Sequence, residues 1–238
     1  MTGTELNTLI TSVNGGNSID ITLGESLAKV AKSIIEGERE WMPIRKTDTS
    51  ISFLSGSTWQ TAYSLAGITD FLRFYGSFPI RIFDGTNRID QYRQVPFEQR
   101  LEYKDVNGTF VYDESSNSIY FNGTNNMAGT VYLNYIKDTP AIALNTAVDL
   151  KTAGTFVFPD RFHALLAFYI VGISKGAIDY DDINRSMLPA NQATLVSLKN
   201  SMVDWDNKKQ LISVENTDPY RGGDSYGKAN ASNRININ

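Results

Sequence analysis

The chain has 238 residues, 41% of them hydrophobic, with 22 basic and 26 acidic side chains and a net charge of −4. That length can bury a sizeable core as one large domain or two small ones. The charge balance speaks against a protein that grips nucleic acid through its phosphates. Cysteine is absent, which excludes disulfides, thiolate metal sites and a cysteine nucleophile and fits a reducing cytosol. The opening "MTGTELNTLI" has neither the basic nor the apolar region of a signal peptide.

Residues 5–13 place Leu6, Leu9, Ile10 and Val13 on one helical face, and "NGGNS" stops that helix with turn residues. A second helix begins at "TLGESLAKVAKSIIEGEREW", where Thr22 as N-cap and Glu25 three residues later have capping-box spacing. Leu23, Leu27, Val30, Ala31, Ile34 and Ile35 form its predicted apolar stripe. Trp41 and Pro43 end it.

The period changes over 44–137. "TDTSISF" alternates, with Ile51 and Phe53 on one face. "FLRFYGSFPIRIF" runs into Asp84-Gly85-Thr86-Asn87, a hairpin signal. "GTFVYDESSNSIYFNG" reads as a second hairpin closing at Ser115–Asn117. "GTVYLNYIKD" is a further strand, with Val131, Leu133 and Tyr135 opposite Tyr132, Asn134 and Ile136. A short helix at "PFEQRLEY" interrupts them. The region is expected to be a mostly antiparallel sheet with one buried face.

Helices return over 156–213. The segment from Pro159 to Lys175 holds the sole histidine, His163, and is apolar nearly all round: Phe162, Leu165, Leu166, Tyr169 and Ile173 on one face, Ala164, Ala167, Phe168, Ile170 and Val171 on the others. Its run from Phe162 to Ile173 falls short of the about twenty residues a membrane span needs. Such a helix must be buried on every side, by its own chain alone or partly by an adjacent copy. A last helix from Pro189 to about Ile212 carries Leu195, Leu198, Met202, Trp205 and Lys209 on one face. The expected fold is α+β: N-terminal helices (1–43) and C-terminal helices (156–213) packed as a bundle with a central β-rich domain, followed by an extended tail, 214–238.

Catalytic signals are weak. One histidine rules out a Ser-His-Asp triad and a two-histidine metal site, and its place in the first turn of an apolar helix suits packing better than proton transfer. "DYDDIN", Asp179 to Asn184, starts like a calcium loop but has Ile183 at the fifth position and no glycine at the sixth; helix capping is its expected work. Asp113 and Glu114 precede a turn. "RGGDSYGK", Arg221 to Lys228, neither follows a strand nor opens a helix. No catalytic residue, metal or cofactor is expected. The tail "NTDPYRGGDSYGKANASNRININ" is too polar to fold alone. A partner that orders it is one expectation and docking on its own chain is the other. Tyr220, Arg221, Arg234, Ile235 and Ile237 are its candidate contacts, and the alternation of "NRININ" suits strand addition.

Four stretches in order resemble the head-to-tail adaptor (connector, or neck) proteins of tailed bacteriophages: "EGEREWMPIRKTDTSISFLSG", "WQTAYSLAGITDFLRFYG", "GTVYLNYIKDTPAI" and "FVFPDRFHALLAFYIVGISKGA". The last is similar to the family's Pro-x-x-[Phe/Trp]-His-x-x-Leu helix. "SLAGITDF" departs from the family in lacking a proline after Tyr-x-Leu. The resemblance implies a structural, non-enzymatic virion protein, made in the host cytoplasm and assembled at the portal vertex. It implies a homo-oligomeric ring, commonly a dodecamer, between the portal protein and a downstream tail protein. Genomic double-stranded DNA would pass through the channel without sequence-specific binding, and no membrane is involved. Phe162, His163, Leu166, Phe168 and Ile170 would then be core or inter-subunit residues. The alternatives are a tail-tube, nozzle or tail-completion protein, and, further off, a carbohydrate-binding module or hydrolase on the aromatic sheet.

Overall fold

The computed structural model describes residues 1–86 and 88–216, with side chains through residue 210. Among these residues the fold is mixed α/β, with five α-helices and a curled sheet. Helix α1 is Gly3–Val13, and the capping box belongs to it: Thr2 Oγ1 accepts from Glu5 N (3.2 Å) while Thr2 N donates to Glu5 Oε2 (2.8 Å). Helix α2 is Ile21–Gly37 and is capped by Asp20, whose Oδ1 accepts from Leu23 N at 3.1 Å. The expected Thr22–Glu25 box is not formed, because Glu25 reaches across instead and its Oε1 accepts from Leu144 N (3.0 Å). A 3-10 turn, Met42–Ile44, holds Pro43 and leads into the sheet.

The strands are β1 (Arg45–Asp48), β2 (Ser52–Phe53), β3 (Ala62–Ser64), β4 (Phe71–Phe74), β5 (Ile80–Phe83), β6 (Ile89–Gln94), β7 (Thr109–Asp113), β8 (Ser118–Phe121) and β9 (Gly129–Lys137). Both expected hairpins, β5–β6 and β7–β8, are present. Every pairing is antiparallel except β6 with β7, which meet in parallel at Arg93–Thr109 and Gln94–Phe110. The path runs β1-β9-β5-β6-β7-β8-β3, with β2 and β4 also on β9. Overlapping registers put β2 and β1 along one edge of β9 and β5 and β4 along the other.

Alternation on β9 separates two cores. Val131, Leu133 and Tyr135 face an aromatic core inside the curl, whereas Ile136 packs into the helical core. Phe121 is the hub of the first, with ring centroids 4.8 Å from Phe53, 5.3 Å from Tyr63 and 4.9 Å from Tyr92. The curl draws β2 onto β3, where Leu54 N donates to the Tyr63 hydroxyl at 3.1 Å.

The helical core is built around α3 (Ala164–Ser174), which contacts α1, α2, α4 (Tyr180–Ser186) and α5 (Pro189–Asn216). Leu165, Leu166, Ala167, Tyr169, Ile170 and Val171 are all 0% exposed. A helix with no polar face has thus found cover on every side within one chain. Gly172 permits the closest approach: a Cβ there would lie 2.8 Å from an Ile183 methyl of α4. Residues 214–216, assigned to the tail on composition, are the end of α5.

Candidate functional site

The helix residues singled out from sequence meet in the core. Phe162, His163, Leu166 and Ile170 are 0% exposed and Phe168 is 4% exposed, so all five are core residues of this chain. His163 Nε2 donates to the Phe158 carbonyl at 2.8 Å and its ring lies 5.4 Å from that of Phe156. Burial pushes its pKa below the ordinary value, and its Nδ1 has no partner. A neutral, enclosed imidazole is a packing residue here. Tyr220, Arg221, Arg234, Ile235 and Ile237 lie outside the described residues.

The carboxylates sort as expected. Asp179 Oδ1 accepts from Asp182 N (2.9 Å) and caps α4, with Ile183 buried beneath. Asp113 is held below the usual carboxylate range by Ser115 and Ser116, which donate to it in the β7–β8 turn. Among the described residues no group of three His, Asp or Glu side chains could hold a metal ion. No described helix is long and apolar enough to cross a membrane.

Three features carry more information. The first is the outer ridge of α2. The buried face is Gly24, Ala28, Ala31, Lys32, Ile35 and Glu36, and it leaves out Leu23 and Val30. Leu23 is 53% and Val30 47% exposed, and Leu27 and Ile34, each a turn further along, are half-buried. Leu27 and Ile34 pack against the helical core, so the apolar ridge left exposed is that of Leu23 and Val30.

The second is a buried ionic clamp. Lys32 Nζ donates to the Thr139 carbonyl and, at 2.8 Å, to the Pro140 carbonyl. Thr139 Oγ1 donates to the Glu36 carboxylate at 2.9 Å. These contacts tie α2 to the chain leaving β9. Burial raises Glu36 to about 7, against the opposing pull of Lys32, and burial lowers Lys32. An i, i+4 Lys–Glu pair gives no sequence signal of burial, since such pairs ordinarily sit in solvent.

The third is a cleft of about 370 Å³ where the sheet splits, lined by Arg88, Ile89, Asp90, Gln91, Tyr92, Asn107, Gly108, Thr124 and Asn125. Arg88 and Asp90 form a fork, with Nε–Oδ1 at 3.1 Å and Nη2–Oδ2 at 2.9 Å. Asn125 is 7% exposed. Its Oδ1 accepts from the Tyr92 hydroxyl at 2.6 Å, while its Nδ2 has no partner. A buried amide donor without an acceptor is costly unless something arrives to accept from it. Nothing in the local sequence announces this cleft, which depends on a parallel pairing between two segments that each read as half of a hairpin. Compared with protein-family models and with curated proteins, the chain matches none.

Proposed function

We propose that this chain is a structural virion protein, the subunit of an oligomeric adaptor ring between the portal and the tail of a tailed bacteriophage, extending the channel through which DNA passes. One observation carries the reading beside the resemblance itself. The four stretches that resemble the adaptor family fall in two blocks of sequence, 36–76 and 129–177, and the two blocks meet at one junction: β1 and β4 both pair with β9, and α2 packs on α3. What the resemblance touches is therefore the part of the fold that joins helices to sheet.

A ring of this kind gives each subunit two different lateral surfaces, so that contacts close head to tail. The exposed Leu23 and Val30 ridge supplies apolar surface for one of them. The N- and C-terminal helices serve as a bundle beneath the sheet, and residues 217–238 serve as a partner-binding extension. Channel walls of mixed or negative charge let a polyanion slide, and the net charge of −4 suits that task.

The test is deletion of residues 217–238. The truncated protein is expected to keep its far-ultraviolet circular dichroism and cooperative melt but to dock more weakly on portal in co-sedimentation. Normal docking of a folded truncation would contradict the role given to the extension. Loss of folding would contradict it equally.

A further inference from the structure

The cleft has the shape of a missing strand. Arg93 N donates to the Gly108 carbonyl (2.9 Å) and Val95 N to the Phe110 carbonyl (2.9 Å), so odd-numbered residues of β6 turn their peptide groups towards β7. Asp84 N donates to the Arg88 carbonyl at 3.2 Å, so the even-numbered ones turn towards β5. Alternation therefore aims the peptide groups of Ile89 and Gln91 away from β5 and into the cleft. The β7 pairing begins only at Arg93. Among the described residues the second edge of β6 has no strand partner from Ile89 to Gln91, where Gly108 closes on the Gln91 carbonyl; Asn107 and Gly108 lie at that end, Thr124 and Asn125 along the side, and the unpartnered Asn125 amide is in the wall.

An open edge of this length accepts an extended segment by main-chain hydrogen bonding. We propose that this slot receives residues 233–238 of a second copy of the chain as an added strand. The segment reads "NRININ", alternating apolar and amide side chains at the period of a strand. Ile89, 36% exposed at the slot, offers an apolar cross-strand neighbour for Ile235 or Ile237. Gln91 shares the face of Ile89 and flanks the same isoleucines, while the Asn125 amide, bonded to Tyr92 on the alternate face, meets the asparagines and peptide groups of the segment. The Asn125 Nδ2 donor meets a carbonyl of the incoming strand.

Position favours a long reach. Phe83 pairs with both Ile89 and Thr130, so the slot lies at the end of β9 remote from the helices, roughly 20 Å along the strand from Ile136. Residues 217–238 span up to about 70 Å when extended, enough to cross from the helical half of one copy to the sheet of the next. The choice of a second copy rests on the ring reading: slot and segment are different surfaces, and their exchange from copy to copy is a head-to-tail contact.

The absence of native cysteine allows a direct test on the full chain. Gln91→Cys is combined in turn with Ile235→Cys, Asn236→Cys and Ile237→Cys, and disulfide formation is followed on non-reducing gels over a range of protein concentrations. Gln91 is exposed, so the variant is mild. An added strand presents every second side chain to the same face, and disulfides form only at short Cβ separation. Because Gln91 shares the face of Ile89, the expected result is intermolecular cross-linking at 235 and 237 but not at 236, rising with concentration. Equal cross-linking at all three positions would overturn the proposal, as would cross-linking at 236 alone or none. Cross-links confined within one chain would overturn the exchange between copies. An imaged ring without these cross-links would sink this inference and leave the ring standing; cross-links without a ring on portal would do the reverse.

Discussion

The helical half and the sheet half solve burial differently. Around α3 the side chains are mostly aliphatic, and the helix is enclosed on all sides by its own chain. Inside the curl the core is a cluster of Phe53, Tyr63, Tyr92, Phe110 and Phe121 rings, and polar groups such as Asn125 lie at its margin with hydrogen-bonding capacity unused. The first arrangement fixes a rigid base. The second leaves an open strand edge beside it. Partner surfaces are accordingly sought at the open β6 edge and on the α2 ridge, not on the most apolar helix of the chain.

The largest expected effect falls on the enclosed half. Ile170→Asp places an unpaired charge where nothing can solvate it, a change costing more than about 4 kcal/mol, and is expected to abolish the cooperative thermal transition. Phe121→Ala removes the aromatic hub and is expected to cost about 3–5 kcal/mol in denaturant unfolding, leaving a folded protein. A soluble, cooperatively melting Ile170→Asp protein would break the contrast between the two halves.

The clamp between them gives a pH signature. Glu36 has a pKa of about 7 in the folded protein against an ordinary 4.5, so the folded state holds this proton more tightly. The stabilisation it contributes is full below pH 4.5 and is lost as pH rises through about 7. Lys32, Thr139, Asp138 and Lys137 act on the same carboxylate. Glu36→Gln is expected to flatten the fall in melting temperature between those two pH values while changing little below the first. An unchanged slope would show that Glu36 is not the group responsible.

The smallest effect on the isolated subunit is expected at the ridge. Val30→Glu changes a side chain 47% exposed and is expected to alter subunit stability by within about 0.5 kcal/mol, yet to reduce self-association in sedimentation velocity. Unaltered association would remove the ridge from the lateral contact.

Periodicity made α1, α3, α5 and both hairpins readable, because each is decided by local pattern. The face of α2 was readable only in part: Ala31 and Ile35 are buried and Leu27 and Ile34 pack against the core as their spacing predicts, but Leu23 and Val30 do not. Leu23 and Val30 point outward, since the segment after β9 packs so closely that a Cβ at Gly24 would come within 2.7 Å of Leu144. Small residues, Ala28 and Ala31, hold the interface with the core. Lys32 and Glu36 look like a solvated pair until the chain after β9 is laid over them. Of the two ways of burying α3 that its pattern allows, four helices of the same chain already supply the first. The slot is invisible in sequence for the same reason: it exists only between segments.

Electron microscopy of purified portal mixed with this protein tests the central claim most directly. The account predicts an added ring on one axial face of the portal, with a continuous central channel and the same subunit repeated around the axis. Portal particles with no added density, or density without rotational repetition, would contradict it.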